Sequence, residues 1–239
     1  MTRPHPRLLI LIIGALGTIS PFAIDMYLPA FPRIAADLRS EIAQVSLSVS
    51  SYFIGLAAGQ LAYGPLLDRY GRKPPLYAGL VLFILASAGC MAAANVEQLI
   101  GWRFIQALGG CAAGVSSLAM VRDFFPVEEG AKILSLLILV LSVSPLFAPS
   151  VGSFVTIAFG WQAVFVILAG FVAIMIAVTA LFLPESHPPD RAVSLRPLPI
   201  LRGFIEILVH PQFYTYAFTG SFAFSGLLVY VAGAPIIFM

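Results

Sequence analysis

Long apolar runs separated by short polar segments dominate the pattern of this sequence. Seven runs are long enough to cross a membrane, because a helix needs about 20 mostly apolar residues to span the hydrocarbon core. The turns between the runs are short and carry proline, glycine or charge, as chain reversals do. The predicted helices are Leu8–Leu28, Gln44–Gly64, Leu76–Asn95, Leu99–Val121, Ile133–Ile157, Gln162–Leu183 and Phe213–Met239. The pattern therefore predicts an all-α membrane protein.

The longest polar stretch divides the predicted helices into two groups. Pro184–Gln212 is rich in proline and arginine and separates six closely spaced helices from the seventh. We therefore predict a six-helix bundle over residues 1–183, a cytoplasmic linker over 184–212 and a seventh helix over 213–239. This helix would begin a second bundle, so we expect a C-terminal six-helix bundle, missing from this sequence, as a partner.

Composition and charge agree with a membrane protein. The chain is 60% hydrophobic and 10% charged, whereas soluble domains carry about 25% charged residues. The basic residues are scattered, so no nucleic-acid surface is predicted. An N-terminus in the cytoplasm leaves only Arg33 and Arg39 outside, with Arg103 within the membrane and the rest of the 13 Lys and Arg residues inside. Because cytoplasmic loops carry the excess of Lys and Arg, this orientation is predicted.

The sequence has no motif typical of an enzyme or of a bound cofactor. Cys90 and Cys111 lie in apolar runs without C-x-x-C spacing, and they are predicted to pack as small apolar residues. His5, His187 and His210 are isolated, so no metal site is predicted. The sequence contains no Walker loop, no H-E-x-x-H string and no nucleophile elbow. We predict that the protein is not an enzyme and needs no cofactor.

The segment Gly64–Pro74 is predicted to be a loop between the second and third helices. Gly64 and Gly71 permit tight turns, and Asp68 can accept hydrogen bonds or pair with an arginine. Its basic residues are Arg69, Arg72 and Lys73. Composition alone suggests a positively charged cytoplasmic loop. The string G-P-L-L-D-R-Y-G-R-K, however, resembles the G-x-L-x-D-R-x-G-R-[KR] signature of the major facilitator superfamily.

Two charged residues fall inside predicted helices. Arg103 lies in the fourth helix and Asp25 in the outer half of the first, at similar depth. An arginine at the centre of a membrane helix costs about 2.5–3.5 kcal/mol, so an acid–base pair between them is plausible. The alternatives are an Arg103 side chain that reaches the interface and an Asp25 that caps its helix.

Both charges also lie in strings that resemble the same superfamily. Arg103 and Gln106 belong to R-F-I-Q-A-L-G, which resembles the R-x-x-Q-x-x-G motif of the fourth helix. The resemblance implies that the arginine faces a central cavity and takes part in proton coupling. The string D-M-Y-L-P-A-F-P, which starts at Asp25, is similar to the bicyclomycin-resistance (Bcr/CflA) branch of drug:proton antiporters. It implies that Asp25 takes part in proton or substrate binding.

The fifth predicted helix carries two prolines and a glycine. Pro145 and Pro149 remove backbone hydrogen bonds, and Gly152 allows close packing. The Ala-Pro-x-x-Gly core resembles the antiporter motif of drug exporters, although the glycine before the first proline is absent here. A kink that serves only packing is the alternative. Two shorter strings also resemble this family, namely Arg122-Asp123 after the fourth helix and Pro184-Glu185-Ser186 after the sixth.

The resemblance implies a fold and a function. The fold would be two six-helix bundles around a central cavity, each built from two inverted three-helix repeats. The function would be proton-coupled multidrug efflux, a drug:proton antiport by alternating access across the bacterial inner membrane. The ligands would be protons and a small amphipathic drug-like substrate. The alternatives are an exporter of sugars or other metabolites of the same superfamily, and a truncated membrane remnant that transports nothing.

The resemblance also assigns roles to the loop and to some aromatic residues. The segment Gly64–Pro74 would act as a cytoplasmic gate, with Asp68 bonded to the second bundle. Most aromatic rings are expected to pack between helices or against lipid. The alternative is that a few of them line the cavity and bind apolar cations. The candidates are Tyr27, Tyr52, Phe53 and Tyr230.

Overall fold

The computed structural model of the protein describes residues 6–190, 192–193, 195 and 197–238, and this part of the chain is helical without any strand. A short 3-10 turn at Leu28–Ala30 joins the first two α-helices. The α-helices are α1 (Pro6–Asp25), α2 (Phe31–Asp37), α3 (Ile42–Tyr70), α4 (Lys73–Met91), α5 (Val96–Phe124), α6 (Val127–Phe159), α7 (Gln162–Phe182), α8 (Pro197–Val209) and α9 (Pro211–Phe238).

Six segments of the described chain are long and apolar enough to cross a membrane. They are Pro6–Asp37, Ile42–Tyr70, Lys73–Met91, Val96–Phe124, Glu128–Phe159 and Gln162–Phe182. These segments coincide with the first six predicted helices, so the prediction of an all-α membrane protein is confirmed. The seventh predicted helix lies within α9, and its passage through the membrane stays a prediction. Helix α8 forms inside the segment that was predicted as a linker.

The chain divides into two compact units, Met1–Val193 and Ser194–Met239. The first unit contains the six spanning segments, and α5 packs against α3, α4 and α1 within it. Small residues permit these contacts. A Cβ added at Gly55 would lie 2.6 Å from the Phe104 carbonyl oxygen, and one at Gly109 would lie 2.5 Å from the Phe83 nitrogen. Helices associate in lipid through such close backbone approach, because apolar burial alone does not favour contact there.

The spanning helices alternate in direction, and this gives the first unit two distinct ends. The Arg72 end contains the starts of α1, α4 and α6 and the last residues of α3, α5 and α7. The Trp161 end is the opposite one. There the Trp161 indole nitrogen donates a hydrogen bond to Asp37 over 3.0 Å. This bond ties α2, which follows α1, to the turn between α6 and α7.

The prediction of a loop over Gly64–Pro74 is wrong for its first seven residues and for its last two, Lys73 and Pro74, which begin α4. Helix α3 continues through Gly64 and Pro65 as far as Tyr70, and Gly71 then ends it with a φ of +84°. Gly71 therefore makes the predicted turn, whereas Gly64 is a helical residue with open space where a Cβ would be. The physical reason is that membrane thickness limits the apolar part of a helix, while backbone hydrogen bonding can continue beyond it.

Candidate functional site

A polar cluster at the Arg72 end joins α3, α4 and α5. The Arg72 guanidinium donates to the Asp123 carboxylate over 2.8 and 3.3 Å and to Asp68 over 2.7 Å. Ser186 donates a further hydrogen bond of 2.8 Å to Asp123. Burial alone would lower the pKa of Arg72, but the hydrogen bonds and charges of Asp123 and Asp68 outweigh burial and raise it. Arg72 therefore stays charged between its two acids.

Glu185 connects the chain after α7 to the first turn of α4. Its carboxylate accepts hydrogen bonds from the backbone nitrogens of Arg72 over 2.7 Å and Lys73 over 3.1 Å. The first N–H groups of a helix have no partner within the helix, and a negative charge there is favourable. The Lys73 ammonium group in turn donates to the Leu183 carbonyl over 2.6 Å. The end of α7 and the start of α4 are thus held by three hydrogen bonds.

The structure assigns the predicted gating residues partners within their own bundle. Asp68 is bonded to Arg72, one helical turn further along the chain, and Arg69 donates to the Val193 carbonyl over 2.6 Å. Asp123 and Glu185 were not predicted as site residues. The Arg-Asp and Pro-Glu-Ser strings that contain them carried a signal, but no sequence spacing shows that both meet Arg72.

Arg103 is fully buried inside the first unit. Its guanidinium donates to the Gln106 side-chain oxygen over 2.5 Å and to the Ala23 carbonyl over 3.1 Å. The guanidinium carbon also lies 4.4 Å from the ring centroid of Tyr27 and 4.3 Å from that of Tyr52. Both rings are completely buried. Two aromatic faces and two oxygen acceptors therefore stabilise a cation in the interior.

Gln106 extends this arrangement to α4. Its side-chain nitrogen donates to the Ser87 hydroxyl over 2.7 Å, and Ser87 donates to the Phe83 carbonyl. Gln106 and Ser87 are both fully buried. A chain of hydrogen bonds thus runs from α1 through α5 to α4, and it gives these buried side chains partners inside the bundle. Within this hydrogen-bond chain, only the Arg103 Nε atom has no hydrogen-bond partner among the described residues.

The predicted pair between Asp25 and Arg103 does not form. Asp25 accepts a hydrogen bond of 3.0 Å from the Ser144 hydroxyl on α6. Among the described residues the ion pairs are Arg33–Asp37, Arg72–Asp68 and Arg72–Asp123. Side chains two positions apart on an α-helix point about 200° apart. Arg103 approaches the α1 backbone at Ala23, whereas the Asp25 side chain faces α6, so matched depth did not bring the two charges together.

The proline–glycine motif lies where α6 crosses the end of α1. Helix α6 runs without a break through Pro145 and Pro149. A Cβ added at Gly152 would collide with the Met26 carbonyl oxygen and lie 2.7 Å from its carbon. The missing side chain lets the two backbones touch, and this contact sets Ser144 beside Asp25.

A cavity of about 740 Å³ lies among α1, α3, α5 and α6. Its wall includes four charged residues from the Arg72 end, and the remainder is mostly apolar. The charged residues are Asp68, Arg72, Arg122 and Asp123. None of Asp25, Arg103 and Gln106 is part of this wall, so their predicted place on a cavity surface is not reproduced here. The described residues also contain no group of three His, Cys, Asp or Glu side chains that could hold a metal ion.

Comparisons with known proteins agree on one family. The family model described as Major Facilitator Superfamily matches residues 13–237 of this chain. The chain is 33% identical over 230 residues to a bicyclomycin resistance protein homolog of Haemophilus influenzae, a match that covers 96% of this chain and 58% of that protein. It is 34% identical over 225 residues to the multidrug resistance protein MdtL of Escherichia coli O139:H28, with 94% and 56% covered. The chain thus spans less than two thirds of these relatives.

Solved structures show the same fold. The proton:xylose symporter XylE has a TM-score of 0.67 at 17% identity, with 88% of this chain and 51% of that chain covered. The human organic anion transporter MFSD10 has a TM-score of 0.63 at 15% identity, with 83% and 53% covered. At these identities the likeness concerns the fold alone. With the family match, it confirms the resemblance drawn from the sequence motifs, and the chain therefore belongs to the major facilitator superfamily.

Proposed function

We propose that the complete protein exports small amphipathic drug-like molecules in exchange for protons. The observation that carries this proposal is the 740 Å³ cavity, which has mostly apolar walls and is bordered at one end by the Arg72 cluster. Relatives named for bicyclomycin and multidrug resistance support drugs as the cargo. The likeness to a xylose symporter does not favour sugar export, since it concerns only the fold.

The proposed setting is the inner membrane of a bacterium, with the N-terminus in the cytoplasm. The named relatives are bacterial proteins. The Lys and Arg distribution supports a cytoplasmic Arg72 end, because that end carries most of the basic residues. A second six-helix bundle would complete the cavity, and the two bundles would alternate between inward and outward access. The Arg72 cluster would serve as the cytoplasmic gate.

Asp25 is the proposed proton carrier. It lies in the first spanning segment, and its carboxylate has one neutral partner, the Ser144 hydroxyl, but no cation within the described residues. A carboxylate in such a place gains from protonation, because a bilayer disfavours an unpaired charge. Arg103 would act through its fixed positive charge rather than through a direct bond to Asp25.

Transport by the full-length protein tests this proposal. Proteoliposomes would be loaded with a fluorescent amphipathic dye, and dye movement would be followed after a pH jump of either sign. We expect Asp25→Asn to abolish movement that the pH gradient drives but to retain dye exchange at equal pH. Asp37→Asn is the matched control, since Asp37 lies at the Trp161 end and forms a surface ion pair. If dye movement by the wild-type protein did not depend on the pH gradient, proton coupling would be refuted. If the wild-type protein moved no dye at all, export would be refuted.

A further inference from the structure

The cavity wall is neutral beyond its charged end. Apart from Asp68, Arg72, Arg122 and Asp123, the described residues that line it include no Asp, Glu, Lys, Arg or His. Two of these four residues are positive and two are negative. Arg72 is paired with both acids, so neither carboxylate is left without a cation. This half of the cavity therefore has no unpaired negative charge for a cationic ligand.

The described lining also contains no aromatic ring. The rings that the sequence suggested for cation binding lie elsewhere. Tyr27 and Tyr52 are buried against Arg103, so their faces already bind a cation of the protein itself. Phe53 is not part of the wall, and the side chain of Tyr230 lies outside the described residues. Tyr27 and Tyr52 therefore pack inside the bundle, as expected for most rings, and a cavity role for Phe53 and Tyr230 stays a prediction.

Neutral polar side chains are the remaining recognition groups of the wall. Ser117 donates to the carbonyls of Ile13 and Ala113, and Cys111 donates to the Leu56 carbonyl over 3.4 Å. These donors are thus engaged by the backbone. Ser20 also lines the wall, but its hydroxyl oxygen is buried. The Gln60 side chain differs, because it is exposed on the wall and forms no hydrogen bond with another described residue. Its amide offers two N–H donors and one carbonyl acceptor.

The position of Gln60 separates it from the charged end. Gln60 precedes Asp68 by eight residues on α3, which corresponds to about 12 Å along the helix. Leu56 and Leu67 lie on the same stretch of the wall, and Leu137 and Leu141 contribute from α6. A ligand at Gln60 therefore meets one free amide within an apolar surround and lies well away from the paired charges.

We propose that Gln60 is a specificity-determining residue that selects neutral ligands with an apolar body and a hydrogen-bonding group. This inference rests on the proposed function, since it takes the cavity as the place where cargo binds. Moving such a ligand from water to the cavity costs little free energy, because its apolar part contacts leucines and its polar group can bind the Gln60 amide. A permanent cation would lose its hydration without gaining an opposite charge.

Binding of two matched compounds to the purified full-length protein tests the inference. Triphenylphosphine oxide is neutral and accepts strong hydrogen bonds, whereas tetraphenylphosphonium is a cation of similar shape that has no hydrogen-bonding group. We expect wild type to bind the oxide more tightly. Gln60→Leu should weaken oxide binding about fivefold, the effect of one neutral hydrogen bond, and should leave phosphonium binding unchanged. Gln60→Glu should tighten phosphonium binding by supplying the missing charge.

Gln162→Leu is the matched control, because Gln162 is exposed at the start of α7 and is not part of the wall. Calorimetry would measure affinity, and the thermal midpoint of each variant would show whether it is folded. The inference would be overturned if wild type bound the phosphonium more tightly than the oxide. It would also be overturned if Gln60→Leu weakened the binding of both compounds equally. In either case, dye export by wild type in proteoliposomes would leave the proposed function standing. Absence of that export would refute the proposed function separately.

Discussion

The contact between Gly152 and Met26 provides the sharpest test of how the bundle is held together. In Gly152→Ala the new Cβ would collide with the Met26 carbonyl oxygen and lie 2.7 and 2.8 Å from the Met26 carbonyl carbon and Cα. Carbon atoms normally approach to about 3.5–4.0 Å, so α6 and the end of α1 must separate by roughly 1 Å. The obstacle is backbone rather than a flexible side chain, so it has little freedom to move aside.

The expected cost follows from the contacts that this separation would change. Inserting a methyl group into a closely packed site costs about 1–3 kcal/mol. The hydrogen bond from Ser144 to Asp25, now 3.0 Å long, would be stretched, which costs about a further 1 kcal/mol. We therefore expect Gly152→Ala to lower the free energy of unfolding by about 2–4 kcal/mol. In a domain of about 200 residues, each kcal/mol corresponds to a fall in Tm of roughly 2–4 °C.

The assay is thermal unfolding of the full-length protein in detergent, compared with Gly170→Ala. Gly170 lies in α7 with nothing within 4 Å of an added Cβ. Alanine should stabilise a helix there by up to about 1 kcal/mol, because it has the higher helix propensity. We therefore expect Gly152→Ala to lower the free energy of unfolding and Gly170→Ala to raise it. If Gly152→Ala were as stable as Gly170→Ala, the close packing of α6 on α1 would be refuted.

Two further predictions concern the buried arginines. Arg72→Lys keeps the charge but cannot bind Asp68 and Asp123 at once in the same fork geometry, so unfolding in denaturant should show a loss of about 1–3 kcal/mol in the free energy of unfolding. Arg69→Lys is the control, because it alters only one bond to a backbone carbonyl and should change stability far less. An equal effect of the two variants would contradict the role of the Arg72 cluster. Arg103→Lys should lose both the Ala23 bond and the stacking between two tyrosines, and hydrogen exchange should report faster opening of α5; unchanged exchange would contradict this role.

The order and approximate position of the first six spanning helices could be predicted from the sequence, but their ends could not. An apolar run must match the thickness of the hydrocarbon core, and this requirement depends only on distance along the chain. The motif strings could also be assigned to the correct helices, because each has its own local spacing. Glycine permits tight turns, and on this ground both Gly64 and Gly71 were candidates. The φ of +84° confirms the turn at Gly71, whereas Gly64 is helical.

Partners across the bundle could not be predicted in this way. Depth along a helix placed Asp25 and Arg103 at one level, but rotation about the helix axis decides which neighbour a side chain meets. Only the packing of α1 against both α5 and α6 shows that Arg103 binds the Ala23 carbonyl and that Asp25 binds Ser144. The same holds for the Arg72 cluster, where Glu185 is 113 residues away along the chain. The sequence by itself determined the spans and their order, and the tertiary structure decided which charges are paired and which side chains line the cavity, because both depend on how neighbouring helices are rotated against one another.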